Sequence, residues 1–249
     1  MDKGHKQKIV AMMPVRNEAA RYLKEVLEHL SRWVTAIVIL DDCSEDHTID
    51  IASSFKKAII YKNNASQFAT DEPGLRARLW QLTLKENPDW IVALDGDEVF
   101  EDRIINEIGI LINQNDYQAI SFRLFDFWLS RQVYRIDGGW NPWQKSITLM
   151  VRYNAAIQNS WLQREVHCGR FPYAYENLPS YYSDIRVKHY GWTRDEDHYS
   201  KYLYYREKDL KVFGEIRPFT QSIQTPIAKI QMEEWRDAKD LYFLADREQ

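Results

Sequence analysis

Asp95, Gly96, Asp97 and Glu98 place three carboxylates directly after the apolar run Trp90 to Leu94. Carboxylates this close repel unless a cation or a set of donors compensates. Two Asp residues two positions apart, at the end of a buried strand, can hold magnesium or manganese. Such a cation takes one or two carboxylates and fills its remaining positions with water and phosphate oxygens. Gly96 keeps the backbone near whatever binds. By itself the triplet is common, and the same residues also suit a solvated turn in which Glu98 caps the next helix.

Two further acidic or amide-bearing segments follow apolar runs. Pro14 to Glu18 comes after Lys8 to Met13, and Asp41 and Asp42 come after Ala36 to Leu40. Ligands of open α/β sheets bind beyond the carboxyl ends of the strands. Three such ends on one rim make a site for a cation and a polar ligand. Arg76 and Arg78 sit just inside a helix opening near Gly74, where either suits a solvated helix face.

The elements that must position these residues read as alternating strands and helices. Strands are expected at Lys8 to Met13, Ala36 to Leu40, Ala58 to Tyr61 and Trp90 to Leu94. Helices are expected at Glu18 to Leu30, Ser44 to Phe55 (capped by Ser44 or Asp46), Gly74 to Lys85 and Asp102 to Asn113. Near-continuously apolar strands separated by amphipathic helices imply a mostly parallel sheet covered on both faces. Beyond Ala119 the texture changes. Strands are expected at Ala119 to Leu124 and Ile147 to Arg152, a tyrosine-rich helix at Asp195 to Val212 and a helical tail at Ile227 to Asp246. The stretch Asp137 to Lys145, with Trp140 and Trp143, reads as a loop able to close over a ligand.

Bulk properties narrow the function classes. The 249 residues suit one domain of two lobes, about 1–118 and 119–249, with ample apolar sequence for a core. A net charge of -4 argues against a broad nucleic-acid footprint. Aromatics at 14%, including 9 Trp and 15 Tyr, favour stacking on flat faces such as sugars or bases, beside their ordinary use in a core. The two cysteines, Cys43 and Cys168, form neither a metal motif nor a disulfide framework, which fits a reducing cytoplasm. Met1 to Gln7 is polar and unlike a secretory signal. No stretch reaches the roughly 20 apolar residues of a membrane span, so membrane association would be peripheral.

Lys8 to Asp50, with its strand entering Pro-x-x-Asn-Glu and its strand ending Asp-Asp-x-Ser-x-Asp, resembles the N-terminal half of family-2 glycosyltransferases. The segment PDWIVALDGDEVF resembles their Asp-x-Asp strand, in the variant Asp-x-Asp-Glu. The likeness covers roughly the first 115 residues and is looser after Ala119. It implies a GT-A fold: a Rossmann-like nucleotide-binding half with a mostly parallel sheet and helices on both faces, plus a mixed acceptor-binding half. It also implies an inverting transfer from a nucleoside-diphosphate sugar, assisted by manganese or magnesium, to a saccharide, lipid-linked or protein acceptor. A cell-surface polysaccharide pathway is the usual setting of small relatives.

Roles follow by the same resemblance. Pro14 looks like the wall beside the nucleoside, with Arg16 and Glu18 near it. Asp42 would accept from the base, supported by Asp41. Arg76 or Arg78 would approach the diphosphate. Asp95 looks like a ribose or metal-water contact, and Asp97 like the direct metal ligand. An inverting transfer also needs a base for the acceptor hydroxyl. Glu165 in WLQREVHCG is the first choice, His167 the alternative and Asp137 the third. In VKHYGW, His189 would complete the metal shell or touch the diphosphate, and a hydrogen-bonded core histidine is the competing reading.

Three other classes compete. LDGDEV fits the strand signature of haloacid-dehalogenase-like phosphatases, with Asp95 as nucleophile, although two strand-helix units precede it here. A sugar-phosphate nucleotidyltransferase would want a Gly-rich loop after the first strand, and MMPVRNEAAR has no Gly. A catalytically degenerate sugar-nucleotide-binding module is the non-enzyme alternative, against which Asp42, Asp95 and Asp97 all remain.

Overall fold

The computed structural model describes residues 7–163 and 168–237. The chain runs β1 (Ile9–Val15), α1 (Leu23–Leu30), β2 (Ala36–Asp41), α2 (Thr48–Ser53), β3 (Ala58–Lys62), α3 (Glu72–Leu84), β4 (Trp90–Ala93), β5 (Glu98–Phe100) and α4 (Arg103–Ile112). It continues through β6 (Ala119–Trp128), β7 (Val133–Arg135), β8 (Ile147–Arg152), β9 (Ser180–Trp192), α5 (Asp195–Phe213), α6 (Pro218–Ile223) and β10 (Met232–Glu234).

β1 pairs in parallel with β2 and β4, and β2 in parallel with β3. β8 then joins β4 antiparallel and carries the sheet on to β6. The architecture is the expected α/β one. Along β1 the side chains alternate between two cores. Ile9, Ala11 and Met13 pack with α1 and α4 residues such as Leu23, Leu27 and Ile104. Val10 and Met12 pack with Leu75, Leu79 and Trp80 of α3. Both faces being covered is why these strands read as unbroken apolar runs.

Several boundaries differ from the sequence reading. The first helix begins only at Leu23, because Asn17 takes a positive φ of 55° and the next residues form a turn. That turn is pinned from outside: Glu18 N donates to Thr48 Oγ1 at 2.7 Å and Ala19 N to Asp46 Oδ2 at 3.0 Å. Asp46 thus joins that turn to the start of α2, since its Oδ1 accepts from Thr48 N at 2.9 Å, and α2 begins at Thr48. α3 starts two residues earlier than expected, because the Asp71 carboxylate accepts from Gly74 N and Pro73 sits in the first turn. The described part of the expected helical tail is not α-helical: residues 227–229 form one 3-10 turn and Met232–Glu234 pairs with β7, while the rest of that expectation lies outside the described residues.

The longest strand, β9, is not among the strands expected from the sequence. Its buried positions cluster toward the C-terminus, where it inserts between β5 and β6. The parallel register sets Asp126 beside His189 and Trp128 beside Trp192. The antiparallel register with β5 sets Glu98 beside His189. Pairing on both sides carries His189 to the Asp95–Glu98 turn from more than 90 residues away in sequence.

The segment expected to act as a closing loop is pinned instead. Trp140 is 2% exposed and sits in a cluster with Trp128, Trp192 and Ile223. Its Nε1 donates to Ser222 Oγ at 2.9 Å. Lys145 Nζ ties the far end of the segment to Gly139 O at 2.9 Å.

Candidate functional site

The carboxyl ends of β1, β2 and β4 open into a cavity of about 1040 Å³ that also reaches β6, β8, β9 and α5. Pro14, Arg16, Glu18, Asp42, Arg76, Asp95, Asp97 and His189 all line it. The strand ends singled out in the sequence therefore share one rim, as open α/β sheets require.

Asp95 and Asp97 face different surroundings. Asp95 Oδ1 accepts from Arg76 at 3.3 and 3.4 Å, and Oδ2 lies 3.1 Å from Arg170. Burial would raise its pKa, but the two guanidinium groups outweigh that and lower it. Arg170 also grips Glu98 through both oxygens at 2.6 and 2.7 Å. Glu98 Oε2 in turn accepts from Asp95 N at 2.9 Å, so the turn is closed on itself. A phosphatase would need Asp95 as an open nucleophile, whereas both its oxygens are engaged by cations.

Asp97 points toward β9 and α5. His189 Nε2 lies 3.6 Å and Lys201 Nζ 3.7 Å from its Oδ2. Burial again pushes upward, but these positive charges together with Arg21 hold the carboxyl well below the usual range. His189 Nδ1 meets Asp126 Oδ1 at 2.6 Å. Burial favours the neutral ring, yet the two carboxylates push His189 up to about 10. Lys145 Nζ completes the anchor at 3.2 Å from Asp126 Oδ2. Glu18 lies over Gly96, beside Asp97, its Oε2 buried without a hydrogen-bond partner among the described residues. Burial, then Asp97, push its carboxyl up to about 7.

Room for this meeting is made at Gly191. A Cβ there would fall 2.6 Å from both Asp97 Oδ2 and His189 Nε2, and closer still to Lys201 Nζ. No group of three or more His, Cys, Asp and Glu side chains among the described residues could hold a metal. The donors that fit one are a pair, Asp97 Oδ2 and His189 Nε2, whose separation lets a single cation touch both. The Asp126–His189 bond orients the ring as carboxylates orient metal-binding histidines. An open two-donor site, with its other positions left to phosphate and water, suits magnesium or manganese.

Asp42 does not stand open. Its carboxylate accepts from Asn63 Nδ2, Ser66 Oγ, Gln67 N and Phe68 N at 2.8–3.0 Å. Burial opposes ionisation, and these four donors prevail to lower its pKa. Asp42 therefore shapes the 63–68 loop, and Phe68 from that loop enters the cavity wall. Arg16 reaches the same loop through Ser66 at 2.8 Å. Asp41 accepts from Ser44 N and holds the following turn. Arg78 donates to the Lys62 carbonyl at 3.0 Å and is not among the lining residues, because α3 directs Arg76 inward instead. Asp137 is bound by Arg135 through both oxygens at 2.7 and 2.8 Å and lies off the cavity, so it is removed as a base. Glu165 and His167 fall outside the described residues.

Sequence reasoning passed over Arg170, Asp126, Lys145 and Lys201. One signal was present: Asp126 is the lone acid in the apolar run Leu124 to Trp128, and a buried acid needs a partner.

The profile of glycosyl transferase family 2 matches residues 10–174. No curated protein matches the sequence significantly. Among solved structures, S. aureus TarS 1-349 in complex with UDP-GlcNAc superposes with a TM-score of 0.53 at 12% identity, covering 87% of this chain and 70% of that one. The S. aureus TarS crystal structure gives a TM-score of 0.51 at 13% identity, covering 87% of this chain but only 42% of TarS. At these identities the likeness is one of fold. The fold is that of the GT-A glycosyltransferases, and the chain, matched over most of its length by the family profile, belongs to glycosyl transferase family 2.

Proposed function

We propose that the protein transfers a hexosyl unit, with inversion, from a nucleoside-diphosphate sugar to an acceptor hydroxyl. The observation that carries this reading is the meeting of Asp97 and His189 over Gly191, inside the cavity formed by the strand ends. Pro14, Arg16 and the Asp42-held loop form the nucleoside side of that cavity. Arg76 and Arg170 hold Asp95, which faces the ribose. Asp97 and His189 hold manganese or magnesium, which offsets charge on the departing diphosphate when bound.

In the transfer, the acceptor oxygen attacks the anomeric carbon opposite the diphosphate. The carbon–oxygen bond to phosphate breaks, its electron pair leaves on the diphosphate, and a base takes the hydroxyl proton. Glu165 is the first choice for that base and His167 the second. Residues 1–118 form the nucleotide-sugar-binding half, which His189 of the second half completes, and 119–249 form the acceptor-binding half, whether the acceptor is a saccharide, lipid-linked or a protein. No described helix is long and apolar enough to cross a membrane. We place the enzyme in the cytoplasm, docked peripherally where it acts in cell-surface polysaccharide synthesis.

Isothermal titration with UDP, GDP and dTDP sugars, with and without manganese, tests the reading. Metal-dependent binding of one nucleotide class is the expected result. Absence of binding to all three in the presence of metal overturns it. Glu165→Gln should then abolish transfer while leaving donor binding intact.

A further inference from the structure

α5 is tied to the site by an ion pair between Arg21, in the turn after β1, and Asp197 in its first turn. Residues four apart lie on one helix face. Fixing Asp197 therefore fixes the direction of Lys201, one turn further on. The Lys201 ammonium reaches the cavity 3.7 Å from Asp97 Oδ2 and lies 4.7 Å from the centre of the Trp192 ring.

The Trp192 face attracts the charge but accepts no ordinary hydrogen bond. Asp97 lies beyond hydrogen-bond distance. Among the described residues the ammonium makes no hydrogen bond, although its side chain is only 26% exposed. Three donors thus converge with Asp97 and His189 on the space that a Cβ at Gly191 would fill.

Building on the reading above, we propose that Lys201 binds the distal phosphate of the donor's diphosphate. The chemistry is that of a compact cation with rotatable donors meeting phosphate oxygens. Arg76 does not fill this role, because its guanidinium is engaged with Asp95 and Glu72. The ammonium stays in the site through the transfer, beside the oxygen that gains charge as the sugar leaves.

Titration of UDP and UMP, at saturating manganese, into the wild-type protein and Lys201→Met tests this. UDP carries the distal phosphate and UMP does not. Loss of a charge-assisted contact predicts roughly tenfold weaker UDP binding, with UMP held within about twofold. Lys201→Arg should recover most of the UDP affinity. Equal losses for UDP and UMP, or no loss for UDP, would overturn the proposal. Should Lys201→Met melt early, Lys201→Gln serves for the same comparison. Wild-type protein that binds neither uridine nucleotide but binds GDP or dTDP moves the same comparison to that diphosphate and its monophosphate, and binding to none of the three overturns the nucleotide-sugar reading itself. Wild-type binding with an indifferent Lys201→Met overturns only the role of Lys201.

Discussion

Asp126 Oδ1 lies 2.6 Å from His189 Nδ1, while the other ring nitrogen faces Asp97 at 3.6 Å. The parallel register of β6 and β9 creates this relation, since Asp126 and His189 are direct neighbours across the two strands. The carboxylate at Nδ1 fixes the aim of the ring, and once Nε2 gives up its proton to a metal it keeps the remaining proton on Nδ1. Asp126→Asn removes the charge and keeps the shape. Manganese affinity, measured with UDP present, should fall about tenfold or more. An unchanged affinity would remove His189 from the metal shell.

Gly191→Ala tests whether the space over β9 is needed. The new methyl group would press on Asp97, His189 and Lys201 together. No positive φ is required at Gly191, so the backbone accepts alanine there. Overpacking of about 1–3 kcal/mol, expressed at the ligand, corresponds to a roughly 5- to 150-fold loss of UDP affinity. Circular dichroism should remain that of the wild type. Wild-type affinity would show that the three side chains separate freely.

What was legible in the sequence follows from the range of the interactions. Apolar strands flanked by polar ends are local patterns, so β1 to β4 and their acidic termini were readable from composition and spacing. Asp97 and His189 carried a family resemblance. Arg170 and Lys201 carry no local sign, because each meets its partner through a loop or helix returning across the sheet. Asp42 is expected from the resemblance to accept from the base, and nothing near it in sequence foretells that residues 63–68 fold back and donate to its oxygens. Trp140 was read as part of a mobile loop for the same reason: Trp128, Trp192 and Ser222, which pin it, are distant in sequence.

Arg170 joins the C-terminal half of the chain to the Asp95–Glu98 turn, and Glu98 is fully buried. Arg170→Met would strand that carboxylate without its cation. Breaking one side of a buried pair costs about 3–5 kcal/mol, which for a chain of this size lowers the melting temperature by roughly 6–20 °C. Adding Glu98→Leu should return part of the loss, because the stranded charge is gone. Calorimetry on the two single variants and the double variant gives the coupling. Strictly additive losses would mean that the pair is not the source.

His29 sets an acid limit on stability. Its ring is buried between α1 and the sheet, and Trp33 Nε1 donates to its Nδ1 at 3.3 Å, leaving the proton on Nε2. Burial pushes the ring's pKa down to about 4; Asp102 opposes this, while Arg32 and Lys188 add to it. Asp102 Oδ1 lies 3.4 Å from Nε2, but its side chain is 73% exposed, so water weakens its pull. An unfolded chain protonates this histidine near pH 6.5. Between there and pH 4 the unfolded state binds more protons, and stability falls as the pH drops. The contribution is whole above pH 6.5 and declines by up to about 3 kcal/mol below it. Urea midpoints at pH 7.5 and 4.5 should differ most for the wild type and least for His29→Leu, which has nothing to protonate. Equal pH slopes in the two proteins would assign the acid sensitivity to other groups.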